Sequence, residues 1–285
     1  MLTHRCRSST NGTRYSNLDY PTSKIDIMNR IQQWPAVDLE SLRPTAEKKS
    51  ASFAPAVRPC CEQRFFLPHH FEPGYAYPLL VWLHGPDDDE RQLHRIMPHV
   101  SLRNYVAVGP RGCCSPEPDR AGYRWQQSED AIDRAEQRVF EAIEIACRRY
   151  PIAEDRIFLA GYQCGGTMAL RIGLGSPNTF AGVLSIGGRF PRKLAPLTHL
   201  HAIQRLPIFL AQGRQSSLYP PDVTCEDLRL FHAAKLHAML RQYPCGDELT
   251  TQMLRDMDAW IMEQIHGVKP DSAPCHALVL PCEEN

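Results

Sequence analysis

The stretch that decides the fold is residues 156–170, RIFLAGYQCGGTMAL. Ile157, Phe158, Leu159 and Ala160 make an apolar run that predicts a short buried strand. Gly161 breaks it, and Gly165 and Gly166 open a helix that continues through Met168, Ala169 and Leu170. Strand, tight glycine-flanked turn and helix are the layout of a nucleophile elbow, G-x-S-x-G. The glycines are needed because the residue at the tip holds a strained backbone and its neighbours pack closely. Counted from Gly161, the tip falls on position 163, which is glutamine. An amide cannot attack a carbonyl, so the turn is present and its nucleophile is absent.

Outward from this turn, apolar runs alternate with amphipathic segments. Residues 62–67 read as an edge strand. Residues 77–83 (YPLLVWL) form a continuous apolar run, the pattern of a central strand covered on both faces. A helix over 90–97 and a strand over 105–108 follow. Residues 128–150 predict a long helix, with Ser128 as a natural cap and Ile132, Val139, Ile143 and Ile145 among its apolar residues. Beyond the elbow come strands at 182–186 and 207–211 and a helix at 225–234. Residues 237–242 are read as a strand rather than a continued helix, because Tyr243-Pro244 ends them like the other strand exits. A last helix over 249–265 turns Met253, Met257, Trp260, Ile261 and Ile265 to the core. The alternation predicts an α/β fold, a doubly wound and mostly parallel sheet in a single domain. In such sheets the chemistry lies at the carboxyl ends of strands. Here those ends carry His84-Gly85, Pro110-Arg111-Gly112, Gln163, Gly187-Gly188, residues 213–217 and residues 243–248.

The flanks are different in kind. Residues 1–59 read as a polar tail, a short amphipathic helix over 24–34 (Ile27, Ile31, Trp34) and a Pro/Ala/Ser-rich linker. Residues 60–268 are the expected domain, and 269–285 a Pro-containing tail. Both tails are expected to be flexible.

Composition sets limits. In 285 residues, 43% are hydrophobic and 22% charged, as in ordinary soluble chains, and the formal net charge is +0. Nothing attracts a polyanion, so no nucleic acid partner is expected. The longest apolar run is far shorter than the roughly 20 residues of a membrane span. The N-terminus has basic residues but no apolar core, so it does not read as a secretory signal. The eleven cysteines are scattered, with no C-x-x-C pair. Without a signal, free thiols in a reducing cytoplasm are the expected state.

LLVWLHG, AGYQCGGTMAL, PIFLAQGRQSSLYPP and RQYPCGDELTTQMLRDMDAWIME occur in this order. On these motifs the chain resembles the phospholipase/carboxylesterase branch of the α/β-hydrolase fold over about two thirds of its length. That branch includes acyl-protein thioesterase-like and polyhydroxybutyrate-depolymerase-like enzymes. The resemblance implies a serine-hydrolase triad in the order nucleophile, acid, histidine. The nucleophile position is Gln163. The family reads roughly H-G-x-x-D after the next-to-last strand; this chain reads Gln212-Gly213-Arg214-Gln215-Ser216, which puts Ser216 in place of the acid. The family reads Y-P-x-G-H-E before the last helix; here Tyr243-Pro244-Cys245-Gly246-Asp247-Glu248 puts Asp247 in place of histidine. The oxyanion hole would take one N–H from Cys164 and another from the loop after His84 and Gly85, at Pro86. Proline has no N–H to give.

Other residues have chemistry to consider beside these positions. Cys164 is an alternative nucleophile, since a thiolate near a helix N-terminus is activated. In the usual elbow geometry, however, its side chain points away from the mouth, and no histidine is placed to serve it. Cys113, Cys114, Cys164 and Cys245 fall near strand ends, but none has zinc-site spacing, so no metal is expected. Asp87, Asp88 and Asp89 read as a solvated loop with a helix cap, and His84 as structural. No cofactor is implied. The leading expectation is a pseudo-hydrolase that binds a small acyl-ester-like ligand or a protein partner. The alternative is an active ester or thioester hydrolase rearranged around Cys164.

Overall fold

The computed structural model describes residues 62–114, 122–193 and 197–267. The readings of the tails, the 24–34 helix and the linker lie outside these residues. The strands are β1 (Gln63–Phe66), β2 (Tyr77–Leu83), β3 (Val106–Pro110), β4 (Cys113–Cys114), β5 (Tyr123–Arg124), β6 (Ile152–Tyr162), β7 (Gly182–Ile186), β8 (Ile208–Gly213) and β9 (Ala238–Tyr243). The helices are α1 (Gln92–Val100), α2 (Glu129–Arg149), α3 (Cys164–Gly175), α4 (Leu200–Ile203), α5 (Pro221–Ala234) and α6 (Thr251–His266).

Seven strands form one sheet in the order β1-β3-β2-β6-β7-β8-β9, and β4 pairs with β5 apart from it. Every pairing in the large sheet is parallel except that of the edge strand β1 with β3. The alternation of side chains along each strand divides the core in two. Leu79, Val81 and Leu83 of β2 face a cluster with Val139 and Ala142 of α2 and Met168 and Leu170 of α3. Leu80 and Trp82 face the other cluster, with Leu93 and Met97 of α1 and Met257 and Trp260 of α6. Helices cover both faces, which is why β2 is buried at every residue. Chain order reverses between β2 and β6, so the cleft of such a sheet opens where those two strands end.

Several boundaries differ from the sequence reading. Strand β6 runs for 11 residues, starting well ahead of the apolar run, because Ile152 pairs with Tyr77 at the start of β2. Helix α1 starts at Gln92 and runs through Pro98; α5 starts at Pro221, a favoured first-turn residue. Ser128 precedes α2, but its hydroxyl makes no capping bond. Its carbonyl accepts from Ala131 and Ile132, and the acidic Glu129 and Asp130 in the first turn complement the helix dipole. The side-chain cap occurs instead at α6, where Thr250 Oγ1 accepts from Met253 N at 3.3 Å. Among the described residues, no helix is long and apolar enough to cross a membrane.

Candidate functional site

Gln163 lies between β6 and α3 with φ 47° and ψ −112°, a conformation that a side-chain-bearing residue adopts only under constraint. The constraint is packing. A Cβ on Gly165 would lie 2.3 Å from Leu83 O and 2.4 Å from His84 O, so the first turn of α3 presses on the end of β2. A Cβ on Gly161 would lie 2.4 Å from the carbonyl of Gly165. The turn is further fixed by Gln163 N donating to Ile186 O at 2.7 Å and by Thr167 N donating to Gln163 O at 2.9 Å.

The loops after β8 and β9 meet beside this turn. Arg214 N donates to Tyr243 O at 2.8 Å and Gln215 N to Cys245 O at 3.0 Å. This carries Ser216 to Asp247: Ser216 Oγ donates to Asp247 Oδ1. Asp247 Oδ2 accepts from Ser217 Oγ at 2.6 Å and Ser217 N at 3.1 Å, and Oδ1 also accepts from Leu218 N at 3.3 Å. Gln163 reaches the same loop through its amide, Nε2 donating to Asp247 O at 2.8 Å and to Tyr162 Oη at 2.9 Å. Tyr162 Oη in turn donates to Asp247 O. Residues 163, 216 and 247 therefore converge, although Gln163 touches the Asp247 backbone and not its carboxylate. Burial pushes the Asp247 carboxyl up, but the hydroxyls of Ser216 and Ser217 and the N–H groups of Leu218 and Ser217 hold it below the ordinary range. It is a satisfied anion, poorly suited to take a proton.

The expected oxyanion-hole loop is also engaged elsewhere. Pro86 borders the cleft but has no N–H. The N–H of Gly85 donates to Gln92 Oε1 at 3.1 Å, an oxygen that also accepts from Trp82 Nε1 at 2.8 Å. His84 is fully buried; its Nε2 accepts from Gly112 N at 3.0 Å, so the proton sits on Nδ1, facing Gly85 O at 2.7 Å. Burial lowers its pKa, and the ring is a neutral structural element. Asp87 pairs with Arg124 and Asp88 with Arg95, while Asp89 Oδ1 accepts from Arg91 N at 2.9 Å. The three aspartates thus bind arginines and backbone; helix α1, whose N-cap is Arg91, has no side-chain cap.

A cleft of about 560 Å³ opens beside Gln163, and Cys164, Thr167 and Gly187 also border it. Cys164 is half-buried, and while the residue borders the cleft it also packs against the core cluster beneath α3. Burial pushes the Cys164 thiol up, opposite to an activated nucleophile. Among the described residues, no three of His, Cys, Asp and Glu are grouped to hold a metal ion, and Cys113, Cys114 and Cys245 do not gather at Cys164. Two contributors escaped the sequence reading. Tyr162, read only as part of the turn, bridges to Asp247, and Ser217 supplies two of the four donors to its carboxylate. The S-S pair at 216–217 is the only signal of the second that the sequence contains.

A phospholipase/carboxylesterase family model matches residues 76–265. No curated protein matches the chain by sequence. Among solved structures, the Bacillus cereus carboxylesterase has a TM-score of 0.57 at 18% identity, over 72% of this chain and 95% of its own. Acyl-protein thioesterase 2 of Zea mays gives 0.56 at 14%, over 72% and 99%. SOBER1 of Arabidopsis thaliana gives 0.55 at 18%, over 67% and 100%. These structures agree with this chain in fold. With a family model spanning more than half of the sequence and the elbow, sheet order and cleft in place, the chain belongs to the phospholipase/carboxylesterase family.

Proposed function

We propose that this chain is a catalytically silent member of its family, a pseudo-hydrolase that binds a ligand through the retained cleft. One observation carries the reading. The elbow tip carries the amide of Gln163, bonded to the Asp247 backbone, and the Asp247 carboxylate is held by Ser216 and Ser217 as a satisfied anion, so the tip has neither a nucleophile nor a base to serve one. The missing donor at Pro86 supports it. A second reading has one observation in its favour: Cys164 borders the cleft, as a displaced nucleophile would. Its raised pKa, and the engagement of both His84 nitrogens with backbone, weigh against it. The cysteines that the structure describes are free thiols, which supports a reducing, cytoplasmic setting.

The test is hydrolysis of short-chain p-nitrophenyl esters and thioesters. Loss of triad function in a serine hydrolase costs on the order of 10⁶ in kcat, so turnover is expected at background. Gln163→Ser alone should add little, because an unactivated serine is a weak nucleophile. Activity should rise only when Asp247→His and then Ser216→Asp are added, non-additively, since the groups act as a unit. Robust turnover by the unmodified protein, abolished by Cys164→Ala, would replace this reading with the displaced-cysteine hydrolase.

A further inference from the structure

Four arginines, Arg124, Arg171, Arg189 and Arg192, line the cleft beside Gln163, and among the described residues no aspartate or glutamate does. Two of these charges are balanced from behind. Arg124 donates to both carboxylate oxygens of Asp87, at 2.8 and 2.9 Å. Arg192 pairs with Asp227 and, at 3.4 Å, with Glu226. The other two have no carboxylate partner among the described residues. Arg171 is only 8% exposed. Its guanidinium donates to Gln127 Oε1 at 3.0 Å, Lys193 O at 3.2 Å and Arg192 O at 3.0 Å. Of its five N–H donors, three are thereby used and two remain. Burial pulls its pKa down; Glu129, Asp133 and Glu136 border a neighbouring cavity that Arg171 also lines, but none of them pairs with it. Arg189 is exposed; its Nε donates to Leu218 O, and its two Nη groups have no hydrogen-bond partner among the described residues.

A buried cation without a counter-ion is costly in an interior, and an anion arriving from solvent removes that penalty. The position of Arg171 suits this. Cys164, Thr167 and Arg171 are spaced three and four apart along α3, so one face of that helix runs along the cleft from its N-terminus to the guanidinium. The positive end of the helix dipole adds to the same field. Apolar residues, Phe190, Pro191 and Leu218, stand beside the arginines, and Gln127, Gln163 and Thr167 add neutral polar groups. The Asp247 carboxylate does not line this cleft, and its oxygens are taken by Ser216, Ser217 and Leu218.

We propose that the cleft holds a small amphipathic organic anion, its carboxylate or phosphate head on Arg171 and Arg189 and its apolar body against Phe190, Pro191 and Leu218. The proposal rests on the reading of this cleft as a ligand site. It does not depend on whether the protein turns over esters.

The experiment titrates the full-length protein with octanoate, octyl phosphate and uncharged 1-octanol, by calorimetry or ligand-observed NMR. At least one of the anions should bind about tenfold or more tightly than the alcohol, the scale of one charge-assisted hydrogen bond. Which anion binds better names the head group. Raising the salt should weaken anion binding and leave the alcohol unchanged. Arg189→Gln, at an exposed position where folding is not in question, should weaken the anion about tenfold without moving the alcohol. Arg171→Gln should do the same or more, and Arg171→Lys should recover only part of the loss, because lysine lacks the planar fork. Equal affinity for anion and alcohol, or no effect of Arg189→Gln, overturns the proposal. Ester turnover measured on the same samples decides the silent reading separately: an active protein with a charge-selective cleft would keep this inference and lose that one.

Discussion

The backbone of the elbow and the side chains mounted around it obey different constraints. In the backbone there is no room for a single added carbon: a methyl at Gly165 would fall 2.3 Å from Leu83 O. Around it, Gln163, Ser216 and Asp247 lack the chemistry of acyl transfer, yet they form a complete hydrogen-bond network. The elbow belongs to the packing of α3 on β2 and β6, where an error is felt by the whole domain. The network belongs to two loop ends, where one set of polar side chains can replace another provided each donor finds an acceptor. A fold of this kind can therefore keep the shape of a catalytic turn while its side chains are exchanged.

The comparison is broken most severely from the packing side. Gly165→Ala should cost roughly 3 kcal/mol, at the upper end for overpacking, because the new atom meets rigid backbone rather than a movable side chain. A fall in the urea midpoint reads it, and an unchanged midpoint would mean that the turn is looser than its contacts imply.

The network should yield less. Asp247→Asn replaces an oxygen acceptor with an NH₂ donor that faces donors, a cost of about 1–3 kcal/mol at neutral pH. The pH dependence has a definite sign. The folded-state pKa of Asp247 is depressed, so its contribution is present above the unfolded value of about 4 and is lost as pH falls through the folded one. Asp88, Glu90 and Asp256 are lowered as well, so Asp247→Asn should flatten only part of the acid limb. An acid limb identical to that of the parent protein would remove Asp247 from the account.

The smallest effect is the control. Gly175 ends α3, and a Cβ there would meet nothing within 4 Å. Gly175→Ala should stabilise by about 0.4–1 kcal/mol, through the unfolded chain. A loss of stability at this position would blur the distinction between packed and open glycines on which the first prediction depends.

The scaffold was legible because it is written in local patterns. The apolar run of β2, the elbow glycines and the ambiguous segment that became β9 each depend on residues adjacent in sequence. Ser128 was misread because a capping residue type is not a capping bond; whether the hydroxyl is used depends on its rotamer and on competing first-turn charges. The wall of the cleft was not legible, because it depends on how residues 187–192 lie against α3. The arginines were invisible for the same reason. Arg124, Arg171, Arg189 and Arg192 are scattered through a chain whose net charge is +0, and only the fold separates those with an aspartate behind them from those without.

Strand β9 is the last of the seven and, among the described residues, has a neighbour on one side only, β8. An unprotected edge is a template on which a second chain can add a strand, and proteins restrain such edges locally. Here the restraint lies just past the strand, where Asp247 is held from the β8 side by Ser216, Ser217 and Leu218 and from β6 by Tyr162 and Gln163. Tyr243 adds a bond from its hydroxyl to Asp256 of α6 at 2.7 Å. Residues at positions that would serve turnover thus pin the margin of the sheet, so fraying and intermolecular strand exchange are opposed at the carboxyl end of β9, and its amides there should be among the slower of any edge strand to exchange with solvent.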